Sequence, residues 1–218
     1  QEAELAALGL LSNFPIKNGI IADLGGGSLE LILISKGKIK KLVSLDIGHL
    51  VPVDQKEVLQ LLESVKWLKK SKNLKLYGTG GSFRSLGSAF IKNTSYPLFL
   101  IHGLSINTET SVMLLDKMID AKHKFPGIPQ NRMPTIKNAA NIMQNLILSC
   151  DPKKVIICGT SIRDGIVSEI NPSKIINPDK SSNIKYFTKN QRFSGMQNTI
   201  KKILDPLLDN LIDRNFKR

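Results

Sequence analysis

The chain has 218 residues and 41% hydrophobic content, enough for a proper core in one large or two small domains. No apolar stretch approaches the ~20 residues of a membrane span, and the opening "QEAELAALGLL" lacks the basic region and cleavage site of a signal peptide; a membrane partner is not expected, and the expected location is the cytoplasm. Net charge is +13, which favours polyanionic partners, although most lysines are spread singly as on an ordinary solvated surface.

Residues 2 to 12 place Leu5, Ala6, Leu8 and Leu11 at helical spacing, so the chain opens in a helix that ends near "SNFP". Strands at 19 to 24, 29 to 35 and 38 to 46, joined by a glycine turn and by "SKGK", read as an antiparallel meander. Asp54 can cap a helix whose face is Val58, Leu61, Leu62, Val65 and Leu68. A strand at 74 to 78 then runs into glycines and a helix from Ser82. The stretch "SYPLFLIHGLSI" reads as a loop, followed by a helix capped by Asn107 or Thr108 and running to about Lys122. "FPGIPQNRMP" breaks it, Thr135 opens another helix, and "KKVIICGTSIRDGIVSEI" repeats the plan of strand, glycine turn and helix. A meander followed by two helix and strand units describes an α/β domain, a mixed sheet covered by helices, over residues 1 to 170. Residues 171 to 218 form a basic extension with a final helix near 196 to 213, and from Ser181 onward it holds eight basic residues and three acids.

The question is why "GIIADLGGGSLELILI" interrupts an apolar run with three glycines, which cost backbone entropy and add no packing. In a hairpin, Gly25, Gly26 and Gly27 free the backbone amides to form a concave nest for an anion, and Ser28 adds a hydroxyl donor. Asp23 stands just before that nest. A carboxylate there repels phosphate unless a divalent cation, Mg2+ held through water, lies between them. Strand alternation puts Glu30 on the same face as Ser28. The second turn, "GTGGSFRSLG", ends a strand and starts a helix, so the amides of Gly80, Gly81 and Ser82 also suit a phosphate, with Arg84 as a bidentate donor. Cys150 and Cys158 are too few for a disulfide framework and read as reduced and structural. His49 and His123 read as surface residues and His102 as a turn or core residue.

These motifs carry a resemblance. "DLGGGSLEL" and "YGTGGSFRSL" resemble phosphate motifs of the exopolyphosphatase and guanosine pentaphosphate phosphohydrolase (Ppx/GppA) family, a branch of the actin-like ATPase superfamily with a ribonuclease-H-like core. "QEAELAALGLL", "YPLFLIHG" and "KKVIICGTSIRDGIV" are similar to further family segments, so the resemblance covers residues 1 to about 168. It implies an Mg2+-dependent hydrolase that removes terminal phosphate from inorganic polyphosphate or the 5′-phosphate of guanosine pentaphosphate. By position it assigns Glu2 to activation of the attacking water, Asp23 to the metal, Gly25 to Ser28 to the phosphate loop, and Glu30 to a further catalytic acid. Family members begin with a lobe carrying a "DxGSNSxxL" loop, absent here, so this chain is expected to be the second lobe of a two-lobed enzyme that needs its partner lobe, or a homodimer, to complete the cleft. The alternative is a non-catalytic module that binds polyphosphate or nucleotide. Sequence-specific nucleic-acid binding is the weaker reading, because aromatic residues are only 6% and no recognition helix is evident.

Overall fold

The computed structural model describes residues 2–12, 14–94, 96–160 and 164–166, with side chains from Glu4 onward. The expected boundary near 171 and the helix near 196 to 213 lie outside the described residues. A helix α1 (Glu2–Leu11) leads into strands β1 (Asn18–Leu24), β2 (Leu29–Ser35) and β3 (Lys38–Leu45). After helix α2 (Gln55–Ser64) come β4 (Lys75–Thr79), α3 (Gly80–Asn93), β5 (Leu104–Asn107), α4 (Thr108–Asp120), α5 (Met133–Cys150) and β6 (Lys154–Ile157).

Among the described residues these make one six-stranded mixed sheet in the order β3, β2, β1, β4, β6, β5. The meander pairs antiparallel as expected, and β1, β4 and β6 run parallel. Lys36 and Gly37 both take positive φ at the tip between β2 and β3, the two-residue turn whose twist matches a hairpin. On one face of the sheet Ile20, Ala22, Leu31 and Leu76 join α3, α4 and α5 in the larger core. On the other, Ile21, Ile32, Ile34 and Tyr77 pack against Ala7 and Leu10 of α1. Gly165, which follows β6, lies so close to Leu5 that an added Cβ would meet the Leu5 carbonyl.

Two segments differ from expectation. The run read as a loop contains β5, an edge strand antiparallel to β6, whose four residues alternate buried and exposed over too short a span to stand out. Helix α2 ends at Ser64 rather than continuing to Leu68. The Val65 N–H closes onto the Leu62 carbonyl, and Leu68 stays buried from the following turn. Asp54 occupies the cap position of α2 without a side-chain cap bond, whereas Asn107 does cap α4 through the Thr110 N–H at 2.7 Å. Cys150 and Cys158 are free and buried, and burial pushes both thiols up, Cys150 to about 12, which leaves them unreactive.

His102 ties β5 to the end of β6: its Nδ1 accepts the Gly159 N–H at 3.1 Å, and its ring lies 4.7 Å from that of Phe14. Burial holds its pKa below the ordinary 6.5, while the charge of Asp164 pulls the other way. The unfolded chain therefore takes up a proton that the native imidazole refuses, so the contribution is complete above pH 6.5 and is lost as pH falls through the depressed native value. Melting temperature is expected to drop between about pH 7 and pH 5, with part of that slope absent in His102→Gln; an identical slope in the variant would contradict this.

Candidate active site

The ends of β1, β2, β3 and β4 set four polar residues in one row. Asp23 faces Glu30 across the antiparallel pair and Thr79 across the parallel pair, and Glu30 faces Ser44. Residues directly opposite share a face, so all four project on the side covered by α1. Glu30 is held there: its Oε1 accepts the Ser28 hydroxyl at 2.5 Å and the Ser44 hydroxyl at 3.2 Å. The Ser28 proton is thus engaged with Glu30 rather than free for a phosphate.

The glycine turn joins this row directly. Gly25 departs from the expected nest, because its N–H donates to the Ser28 carbonyl at 2.9 Å and closes the hairpin. The N–H groups of Gly26, Gly27 and Ser28 have no hydrogen-bond partner among the described residues. Three neighbouring donors at a turn are the makings of an anion cradle. The segment after β3 props it from behind: the N–H groups of His49 and Leu50 donate to the Gly25 and Gly26 carbonyls at 3.1 and 2.9 Å. An added Cβ at Gly48 would collide with the Gly26 carbonyl and the Gly27 nitrogen. Backbone cannot yield as a side-chain tip does, so Gly48→Ala is expected to cost about 1 to 3 kcal/mol and displace the cradle. A melting curve and a phosphate titration that both match the parent would contradict the contact.

The second turn abuts the first. Gly80 has φ +84°, and a Cβ there would come 2.5 Å from Asp23 Oδ1, so both conformation and the carboxylate require glycine. Helix α3 starts at Gly80, two residues earlier than expected, and no side chain caps it. Thr79, at its cap position, donates instead to the Thr160 carbonyl at 2.5 Å. The first-turn amides therefore keep their donor capacity at the positive end of the helix. Ser82, expected to touch phosphate, is buried and its Oγ lies 3.5 Å from His49 Nδ1. His49 is thus not a plain surface residue: it is half-buried and stands between the two turns.

Arginine placement also differs. Arg84 is half-buried in α3, with no ion pair among the described residues. It is Arg132 that lies on the second turn, where a Cβ at Gly81 would meet its guanidinium. The proline and glycine break delivers it: Asn93 Nδ2 donates to the Pro126 carbonyl at 3.2 Å, and Gly127 packs against the Ser88 carbonyl, which pins the segment to α3. The sequence signal was a lone arginine in a segment that reads only as a helix breaker. Glu2 is the first residue of α1, the helix that packs on the sheet face carrying Asp23.

A divalent cation suits this donor set. Among the described residues no three His, Cys, Asp or Glu side chains cluster as a dedicated cage, but Mg2+ is ordinarily held by one or two carboxylates with waters and substrate phosphates. Asp23 and its neighbour Glu30 supply that number beside the cradle.

The six-stranded mixed sheet with helices on its faces is an α/β fold of the ribonuclease-H-like, actin-like ATPase kind. The family model of the Ppx/GppA phosphatase family matches residues 1–174. The chain belongs to that family. Among solved structures it is similar to the Aquifex aeolicus family member, at 22% identity and TM-score 0.63 over 80% of this chain and 63% of that one. It is also similar to an exopolyphosphatase from Cytophaga hutchinsonii, at 17% identity and TM-score 0.67 over 80% and 64% of the two chains. The chain thus spans less than two thirds of either protein. No curated protein matches it. No helix among the described residues is long and apolar enough to cross a membrane.

Proposed function

We propose that the chain is the phosphate-gripping half of an Mg2+-dependent phosphohydrolase that removes terminal phosphate from inorganic polyphosphate or the 5′-phosphate of guanosine pentaphosphate. The observation that carries this is the row of Glu30, Asp23 and Thr79 beside the amides of Gly26, Gly27 and Ser28, which have no hydrogen-bond partner among the described residues. The amides orient the terminal phosphate, and the start of α3 with Arg132 takes the next phosphate along the chain. Phosphoryl transfer asks the protein mainly to position and to neutralise, which is what donors and cations at these places do. Asp23 and Glu30 would hold Mg2+, which when bound would offset the charge of the phosphate oxygens. Glu2, on the helix covering the same sheet face, orients and deprotonates the attacking water. The rest of the cleft comes from the part of the relatives' length that this chain does not span. The charge of +13 favours a second reading, a polyanion-binding module without turnover. Phosphate release from long-chain polyphosphate and from guanosine pentaphosphate with Mg2+, by this chain and with the remaining lobe supplied, separates the two. Release in neither arm contradicts the hydrolase.

A further inference from the structure

The turn that props the phosphate hairpin is itself held from helix α5. Asn138 Nδ2 donates to two carbonyls of that turn, Gly48 at 3.0 Å and Val51 at 2.6 Å, and the Val51 N–H closes the turn onto the Gly48 carbonyl at 3.2 Å. An amide nitrogen carries two hydrogens, so a pair of carbonyl partners spends its whole donor capacity. The two residues between those carbonyls, His49 and Leu50, are the ones whose N–H groups reach the Gly25 and Gly26 carbonyls. Asn138 therefore grips the turn on either side of the pair that touches the hairpin.

Peptide planarity turns these contacts into a relay. In a trans peptide the C=O of one residue and the N–H of the next share one plane and point opposite ways, and no peptide among the described residues is cis. The Gly48 carbonyl that accepts from Asn138 shares its peptide with the His49 N–H, and the Gly25 carbonyl that accepts from His49 shares its peptide with the Gly26 N–H. Three donors thus stand in series, Asn138, His49 and Gly26. Each bond polarises the next, so such a chain orients its last N–H and strengthens it as a donor. The Gly27 N–H is served through Leu50 on the Gly26 carbonyl and lies outside this series. We infer that Asn138 is a positioning residue for the phosphate site, acting through the Gly48–His49 and Gly25–Gly26 peptides to fix the direction and donor strength of the Gly26 N–H. This rests on the phosphate-binding reading above. Helix α5 then serves both turns, since Arg132, at its cap position, lies on Gly81.

Asn138→Ala in the full chain tests it, by backbone amide NMR and by calorimetric titration with tripolyphosphate and Mg2+. Alanine favours the helix and the position is half-buried, so the variant is expected to stay folded. Gln144→Ala is the control: it breaks a side-chain bond of the same helix, Gln144 Nε2 to Asp116 Oδ1 at 2.5 Å, that has no part in the relay. In the ligand-free protein the Gly26 amide proton of Asn138→Ala is expected to move upfield, by more than that of Gly27, and tripolyphosphate is expected to bind about fivefold to tenfold more weakly. Gln144→Ala is expected to lower the melting temperature while leaving the Gly26 resonance in place and affinity within about twofold. An unmoved Gly26 resonance or parental affinity in Asn138→Ala, or equal losses in the two variants, overturns the role of Asn138 and leaves phosphate binding intact. No binding by the parent overturns both.

Discussion

Asp23→Asn is expected to reverse the effect of Mg2+ on phosphate binding. Asp23 sits at the strand end against Gly80, in line with Glu30 and next to the hairpin amides that have no partner among the described residues. Without metal, its negative charge opposes any phosphate in the cradle, so the asparagine variant should bind tripolyphosphate several-fold more tightly than the parent in EDTA. With Mg2+ the order inverts: the parent gains affinity through the metal, and the variant gains little. Phosphate release in the completed enzyme should fall by about a hundredfold or more, since a lost metal position removes several kcal/mol of charge stabilisation. The near-identical shape of asparagine leaves the packing against Gly80 in place, so the melting temperature should hold. A variant that still responds to Mg2+ as the parent does would assign the metal elsewhere.

Arg132→Ala carries the second large effect. The guanidinium lies on Gly81 at the uncapped start of α3 and makes no ion pair among the described residues. A charge-assisted hydrogen bond to phosphate is typically worth about 1.5 to 3 kcal/mol, so tripolyphosphate affinity should drop by about tenfold to a hundredfold. Arg132→Lys should recover only part of the loss, because an ammonium cannot make the paired contact of a planar fork. An exposed lysine such as Lys66 serves as the control for general charge, and Lys66→Ala should change affinity by about twofold or less. If Arg132 and Lys66 variants lose affinity equally, net charge rather than a placed cation explains binding.

The parts legible in the sequence were those written in short-range patterns. Alternation along β1 and β2 with glycines between them was enough to expect a hairpin, and to expect Glu30 and Ser28 on one face, where they meet at 2.5 Å. The second turn was likewise visible as a strand running into a glycine-rich helix start. What local pattern does not carry is contact between distant segments. Nothing around His49 indicates that its backbone will brace Gly25, and nothing around Arg132 indicates Gly81, because each pairing is made by the sheet and by the anchoring of the 121 to 132 segment on α3. The role of Gly25 shows the limit within a motif. Three consecutive glycines look alike in sequence, yet the N–H of the first is consumed in closing the hairpin, while those of its successors have no partner among the described residues. Strand β5 went unread because four residues are too few for alternation to separate from an irregular loop.

The central claim is that the two glycine turns form one phosphate site, and backbone amide NMR of the full chain titrated with tripolyphosphate and Mg2+ tests it most directly. The predicted result is saturable shifts at the amides of Gly26, Gly27, Ser28 and Gly81 together, with Gly25 moving less. Shifts confined to exposed lysines, with those four amides unmoved, would contradict it.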